Sequence, residues 1–273
     1  MEFTVLCFLD LSVNARNQDR KLDEPGRKIT LWREITMPTP PTVGIFIDFS
    51  ASPSYQSDPG NRYADGTDFG ALCDVLDVGY SIFSGRFQVR MGENAADDEA
   101  LERISQEFQR KYCFSLEPKR PMIDAQAPTT GDRPNEPSLP NGAKSLTAHC
   151  VLSIWAPPNC GVTETSFGHT YTAVQREFYL PFVPALDTAI ILWPVDNTDS
   201  AAVETSWPIG ARGFFAPLGY YILRTEEVFY GKSYVGSSDI SIMAHDGYNT
   251  VDEYNSGLDR LIREFDFNID IQA

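Results

Sequence analysis

The sequence has no run approaching the ~20 apolar residues that a membrane-crossing helix needs. It has only three histidines among 273 residues, and 22 Lys and Arg against 38 Asp and Glu, for a formal charge of −16. Each shortage excludes something. Without a long apolar run there is no signal for a membrane helix. A field of this sign repels nucleic-acid phosphates and anionic lipid and attracts basic protein surfaces. The expected partner is therefore another protein with a basic surface, with no nucleic acid and no membrane. The deficit is uneven: residues 1–120 carry 14 basic and 19 acidic side chains (net −5), and residues 145–273 carry 6 and 16 (net −10).

Chemical motifs are also missing. There is no Gly-Lys-Ser/Thr phosphate loop, GxGxxG, HExxH, GxSxG or CxxC, which removes the usual support for nucleotide cofactors and common hydrolase mechanisms. No cofactor is expected. The five cysteines, Cys7, Cys73, Cys113, Cys150 and Cys160, are odd in number and dispersed. That fits reduced thiols better than a disulfide frame. The first ten residues lack a basic leader and their apolar stretch ends early at Asp10, so they read as a strand of a cytoplasmic chain.

What is present is an internal echo. Leu101-Glu102-Arg103-Ile104-Ser105-Gln106-Glu107-Phe108 is answered 157 residues later by Leu258-Asp259-Arg260-Leu261-Ile262-Arg263-Glu264-Phe265. Ahead of each copy lies a short alternating run that ends in Met, Phe87 to Met91 and Ile240 to Met243. A repeated pattern of this kind predicts two related halves. A lesser echo joins residues 2–11 to 43–49, and these, with Lys28 to Thr36, read as strands of one sheet.

A helix is predicted from about Asp97 to Tyr112, because Leu101, Ile104, Phe108 and Tyr112 make one apolar stripe. The second helix begins at Thr250, whose hydroxyl and Glu253 form a capping box. Its stripe is Tyr254, Leu258, Leu261, Ile262 and Phe265; Gly257 within it costs roughly 1 kcal/mol against Ala, which implies close packing there. Strands are predicted over residues 69–91, 145–155, 171–182, 188–193, 213–230 and 267–271, some of them hairpins. Residues 50–68 form a long surface loop, and residues 118–140 hold six prolines and no aromatic residue. Proline removes backbone donors, so this stretch reads as a linker or an arm.

The expected fold is α+β: a first half over residues 1–117, a Pro-rich segment over 118–144 and a second half over 145–273. Each half is a mainly antiparallel sheet with one amphipathic helix, in a pseudo-twofold arrangement. Chemistry has three candidate places. His149, Cys160 and His169 are metal-ligand types, and Cys160 with His169 could form a thiol and base. If the halves align through Met91 and Met243, Glu93 corresponds to His245, a possible ligand pair. Buried thiols, incidental histidines and a polar Asp246-Gly247 turn are the plainer accounts.

The leading expectation is a non-catalytic protein-binding module of the inhibitor or immunity type, which occludes a basic partner. Its contact surface is expected at Tyr55, Asp58, Tyr63, Asp65, Asp68, Glu93, Asp97, Trp193 and Trp207, with Trp155 on the same rim. The alternatives are a structural subunit of a large assembly that uses residues 118–140 as an arm, and a metal- or thiol-dependent enzyme.

Overall fold

A β-branched and aromatic run that loses its apolar character at Ser12 forms the first strand, β1 (Phe3–Val13). In the computed structural model, which describes residues 2–13, 27–58, 70–82, 84–116, 146–158, 160, 171–195, 213–215, 220–230 and 239–269, β1 pairs antiparallel with β2 (Lys28–Met37) and parallel with β5 (Arg86–Ala95). Between these lie β3 (Phe46–Ser50), the short helix α1 (Pro53–Ser57) and β4 (Gly70–Ser81). The helix α2 (Asp98–Tyr112) and β6 (Ser115–Leu116) follow. The strand order is β4-β5-β1-β2-β6, and β3 lies beside β4.

The rest of the chain runs through β7 (Leu146–Trp155), β8 (Tyr171–Leu180), β9 (Ala189–Leu192), β10 (Gly213–Phe215), β11 (Tyr220–Arg224), β12 (Glu227–Tyr230), β13 (Ile240–Gly247), α3 (Val251–Glu264) and β14 (Asn268–Ile269). A five-stranded sheet has the order β12-β13-β7-β8-β14, while β9, β11 and β10 continue outward from the end of β4. The described residues thus form an α+β protein with two mixed sheets, eight and five strands along their paths, and three helices. Most of the described pairings are antiparallel, as expected, while β1–β5, β4–β9 and β7–β13 pair in parallel and make both sheets mixed. Parallel neighbours need a long crossover, and the chain between Val13 and Arg86, or Trp155 and Ile240, supplies one.

Two compact units emerge, one of residues 2–78 and 87–121 and one of residues 79–86 and 122–273. The Pro-rich stretch 118–144 lies outside the described residues apart from that assignment. The end of β4 goes with the second unit because Gly79, Tyr80 and Ser81 pair with Ala189, Ile190 and Ile191. The Tyr80 ring also meets Phe182 edge-on at 4.8 Å.

In the first unit α2 lies across β1 and β2. Its buried residues are Leu101, Ser105, Phe108, Lys111 and Tyr112, close to the expected stripe but with Ile104 only half-buried. Asp97 caps the helix by accepting a hydrogen bond from Ala100 N at 2.8 Å, and Asp98 and Glu99 favour the N-terminal dipole. At the other end Cys113 turns left-handed (φ 57°) and Phe114 N bonds back to Phe108 O at 3.2 Å, a Schellman-type stop. The Arg33 guanidinium donates to Tyr112 O at 2.7 Å. Truncating Phe108 to Ala removes burial on the order of 3–5 kcal/mol.

In the second unit α3 opens on the expected capping box of Thr250 and Glu253. It closes with Asp266 left-handed (φ 57°) and Phe267 N bonded to Leu261 O at 3.1 Å. Arg176 of β8 donates to Phe265 O, and the Tyr254 and Thr172 hydroxyls share a hydrogen bond of 2.5 Å. Gly257 is buried, and a Cβ there would overlap the Tyr248 ring, so the expected close packing is found.

The strand orders β4-β5-β1-β2-β6 and β12-β13-β7-β8-β14 run alike, while β3, β9, β10 and β11 have no counterpart in this comparison. Cys7 lies opposite Arg33 on one side and Val89 on the other, and Cys150 lies opposite Arg176 and Ile242 in the same way. Val89 therefore answers to Ile242, Met91 to Ala244, Glu93 to Asp246 and Gly92 to His245. In these registers Met91 and Met243 hold positions one residue apart, and in a strand one residue moves a side chain to the other face. The helical echo is also displaced: with the caps Asp97 and Thr250 superposed in sequence, Leu101 answers to Tyr254 and Phe108 to Leu261. The repeated octad is out by about one helical turn, which leaves its apolar positions on the same face.

Candidate functional site

The alternation along β7 divides its side chains. Ala148, Cys150, Leu152 and Ile154 are fully buried on the face where Thr172 and Arg176 reach α3. His149, Val151, Ser153 and Trp155 point the other way. On that second face β8 contributes Tyr171, Gln175, Glu177 and Tyr179, β13 contributes Met243 and His245, and β12 contributes Glu227 and Phe229. Among the described residues no helix of this unit covers it.

An aromatic ridge runs along one end of this face. Trp155, 36% exposed, lies opposite Tyr171 with ring centroids 5.6 Å apart, and His245 stands 6.1 Å from the indole on the other side. Such offset contacts fix ring orientation before any partner arrives. Glycine at position 247, directly opposite Trp155, leaves the indole base uncrowded. Carboxylates flank the rings: Glu226 Oε2 is 3.5 Å from His245 Nε2, and Glu177 Oε1 is 3.9 Å from His149 Nδ1. Tyr179 and Phe229 add exposed aromatic surface to the same face. Rigid aromatic rings with a carboxylate beside them, Glu226 at His245, suit capture of a cationic, partly apolar surface.

Behind this sheet face lies a polar brace. The Tyr221 hydroxyl donates to Asp246 Oδ2 at 2.7 Å, and Gly247 N donates to Asp246 Oδ1 at 2.8 Å. Burial, with the Asp246 charge behind it, pushes the Tyr221 phenol well above its ordinary value. The same two causes raise Tyr248. The Tyr221 phenol stays a neutral donor, and its bond to Asp246 ties β11 to β13.

The structure disposes the expected residues unevenly. Tyr55 is half-buried in α1, Asp58 is exposed at its end and Glu93 is exposed on β5. Asp97 is occupied as a helix cap. Trp193, expected on the rim, is 4% exposed, packed on Tyr220 at 5.2 Å with its indole N–H toward Ser81; the apolar run that ends in it is a central strand, and the ring closes the core. Tyr63, Asp65, Asp68, Trp207 and His169 lie outside the described residues. Cys160 is half-exposed, and His149 is buried. His149 and Cys150 point to opposite faces of β7, so they cannot share an ion. Among the described residues no three His, Cys, Asp or Glu side chains cluster as metal ligands. All five cysteines are free, and among the described residues no helix is long and apolar enough to cross a membrane.

Tyr171, Glu226 and Phe229 were not singled out from the sequence. The signal was present in part, since Trp155 and Tyr171 both sit where an alternating run meets a loop. What pairs them is the β7–β8 register. Comparison with protein-family models, curated proteins and solved structures finds no match to this chain.

Proposed function

We propose that this chain is a non-catalytic, cytoplasmic protein-binding module of the inhibitor or immunity type, which covers a basic surface of another protein. It uses the helix-free face of the five-stranded sheet, with Trp155, Tyr171 and His245 as anchors and Glu177, Glu226 and Glu227 as the charged surround. The observation that carries this reading is the aromatic ridge of Trp155, Tyr171 and His245, the first 36% exposed, in a half of the chain whose net charge is −10. Interface centres are rich in such rings, and charge around them sets encounter rate and partner choice. Free thiols support a reducing setting. We also read the two units as related halves: the similar strand orders, the Cys7–Arg33 and Cys150–Arg176 pairs and the two arginine-capped helices support descent from one module.

The test is recovery of the partner from the native source with the tagged chain. A stoichiometric protein complex is expected, with affinity that falls steeply between 50 and 300 mM salt and drops roughly 100-fold when Trp155→Ala and Tyr171→Ala are combined. Because both rings are partly exposed, circular dichroism of that variant stays unchanged. A complex indifferent to both salt and these rings would overturn the reading, as would recovery of nucleic acid in place of protein.

A further inference from the structure

The edge of the first unit carries a second, differently built surface. Strand β3 pairs only with β4 among the described residues, so its other side presents backbone N–H and C=O groups to no described strand. Sheet edges are normally blunted by lysine, proline or a bulge. Here Phe46-Ile47-Asp48-Phe49-Ser50 contains none of these.

The face of the same strand pair is apolar and acidic in a chequered pattern. Phe46 lies opposite Asp74, and Asp48 lies opposite Leu72. Phe46 is 59% exposed, Leu72 65% and Leu76 52%, so three large apolar side chains stand in solvent on diagonal neighbours of a two-strand ribbon. Clustered exposure of this sort marks an interaction site more often than scattered single residues do. Among the described residues neither Asp48 nor Asp74 is held in an ion pair. The uncompensated charge is felt inside the sheet: burial first, then Glu93 and Asp48, push the Cys73 thiol up to about 12.

We propose that β3 accepts an extended segment of a partner protein as an added strand, in which every second side chain, those on the outer face, is by turns basic and apolar, the cations meeting Asp48 and Asp74 and the apolar groups covering Phe46, Leu72 and Leu76. Strand addition takes its affinity from main-chain hydrogen bonds and its selectivity from alternate side chains. A second copy of this chain is disfavoured as the occupant, because it would bring its own −16 charge and its own Asp48 to the same edge. The proposal rests on the protein-binding reading but not on the Trp155 ridge.

The test uses a synthetic ten-residue peptide that repeats Lys-Thr-Val-Thr, so that lysine and valine alternate along one face, and hydrogen exchange of the full chain read amide by amide. The peptide is expected to slow exchange at least tenfold at those β3 amides not already paired with β4. The same peptide with glutamate in place of lysine, and the lysine peptide interrupted by two prolines, leave these amides unchanged. Asp48→Lys with Asp74→Lys, and separately Phe46→Ala with Leu72→Ala, abolish the slowing while β1 and β7 amides keep their protection as proof of fold. Three results would overturn the proposal: no slowing at residues 46–50, equal slowing by the glutamate peptide, or concentration-dependent slowing without peptide, which would make a second copy the occupant. If β3 takes no peptide while Trp155→Ala and Tyr171→Ala still abolish binding of the native partner, this inference fails alone. If the ridge variant binds the native partner normally and β3 takes the peptide, the earlier reading fails alone.

Discussion

Gly257 lies beneath the Tyr248 ring inside α3, where glycine carries an intrinsic cost of roughly 1 kcal/mol. Alanine would recover that cost and lose more, since overpacking a filled site costs typically about 1–3 kcal/mol. Gly257→Ala is therefore expected to lower the urea midpoint, and the same change made in a Tyr248→Ala background to raise it. A double-mutant cycle with that reversal of sign isolates the contact. The thiols give a pH prediction. Burial pushes Cys150 up to about 12, and burial with two nearby carboxylates does the same for Cys73. Both are protonated in either state at neutral pH. Above the ordinary value of 9.0, the unfolded thiols ionise and the folded ones do not, so stability is level to about pH 8 and falls from pH 9 toward 12. Each fully shielded thiol contributes up to ~1.4 kcal/mol per pH unit in that window. Urea midpoints at pH 7, 9 and 10.5 measure the fall, and Cys150→Ala is expected to make it shallower.

At the scale of the element, each long helix is fixed at both ends. Thr250→Ala is expected to cost about 1 kcal/mol by freeing the N–H of Glu253. Cys113→Gly is expected to stabilise by up to ~1 kcal/mol, because Cys113 holds φ 57° and glycine adopts that region without a Cβ penalty. Thermal unfolding of both variants checks these opposite signs. These caps also show what could be read in advance. Thr250 and Glu253, the stripe of α2, the strand at Phe3–Val13 and the packing at Gly257 were legible because they depend on residues a few positions apart. Register was not. The octads at Leu101 and Leu258 match best one turn out of place, since a four-residue shift keeps a helical stripe on its face. Parallel pairing of β1 with β5 follows from long-range order that no local pattern encodes. The ridge was half legible: Trp155 was noticed, whereas Tyr171 joins it only through the β7–β8 pairing, and Trp193 went inside with the apolar run that it ends.

At the scale of the whole molecule, the excess of carboxylates sets a competition that salt can decide. Some are paired: Lys28 and Arg90 hold Asp10, and α3 carries Arg260–Glu264 at 2.9 Å and Arg263–Asp259 at 2.8 Å. Exposed helical pairs of this sort contribute only about 0.3–0.5 kcal/mol each, and salt weakens them. With 38 acidic against 22 basic side chains, at least sixteen carboxylates can find no cation, and their mutual repulsion opposes the compact state. Raising salt from 10 to 150 mM shortens the screening length from ~30 to ~8 Å, which relieves repulsion between groups spread over the surface more than it loosens contacts at 3 Å. The melting temperature is therefore expected to rise by a few degrees over that range. Asp48→Lys with Asp74→Lys, which removes four units of negative charge where no ion pair is lost, is expected to raise it at 10 mM salt and to reduce its dependence on salt. A melting temperature that instead falls as salt is added would mean that the pairs at Asp10 and along α3 outweigh the unpaired charge, and that this surface is not held poised against its own field.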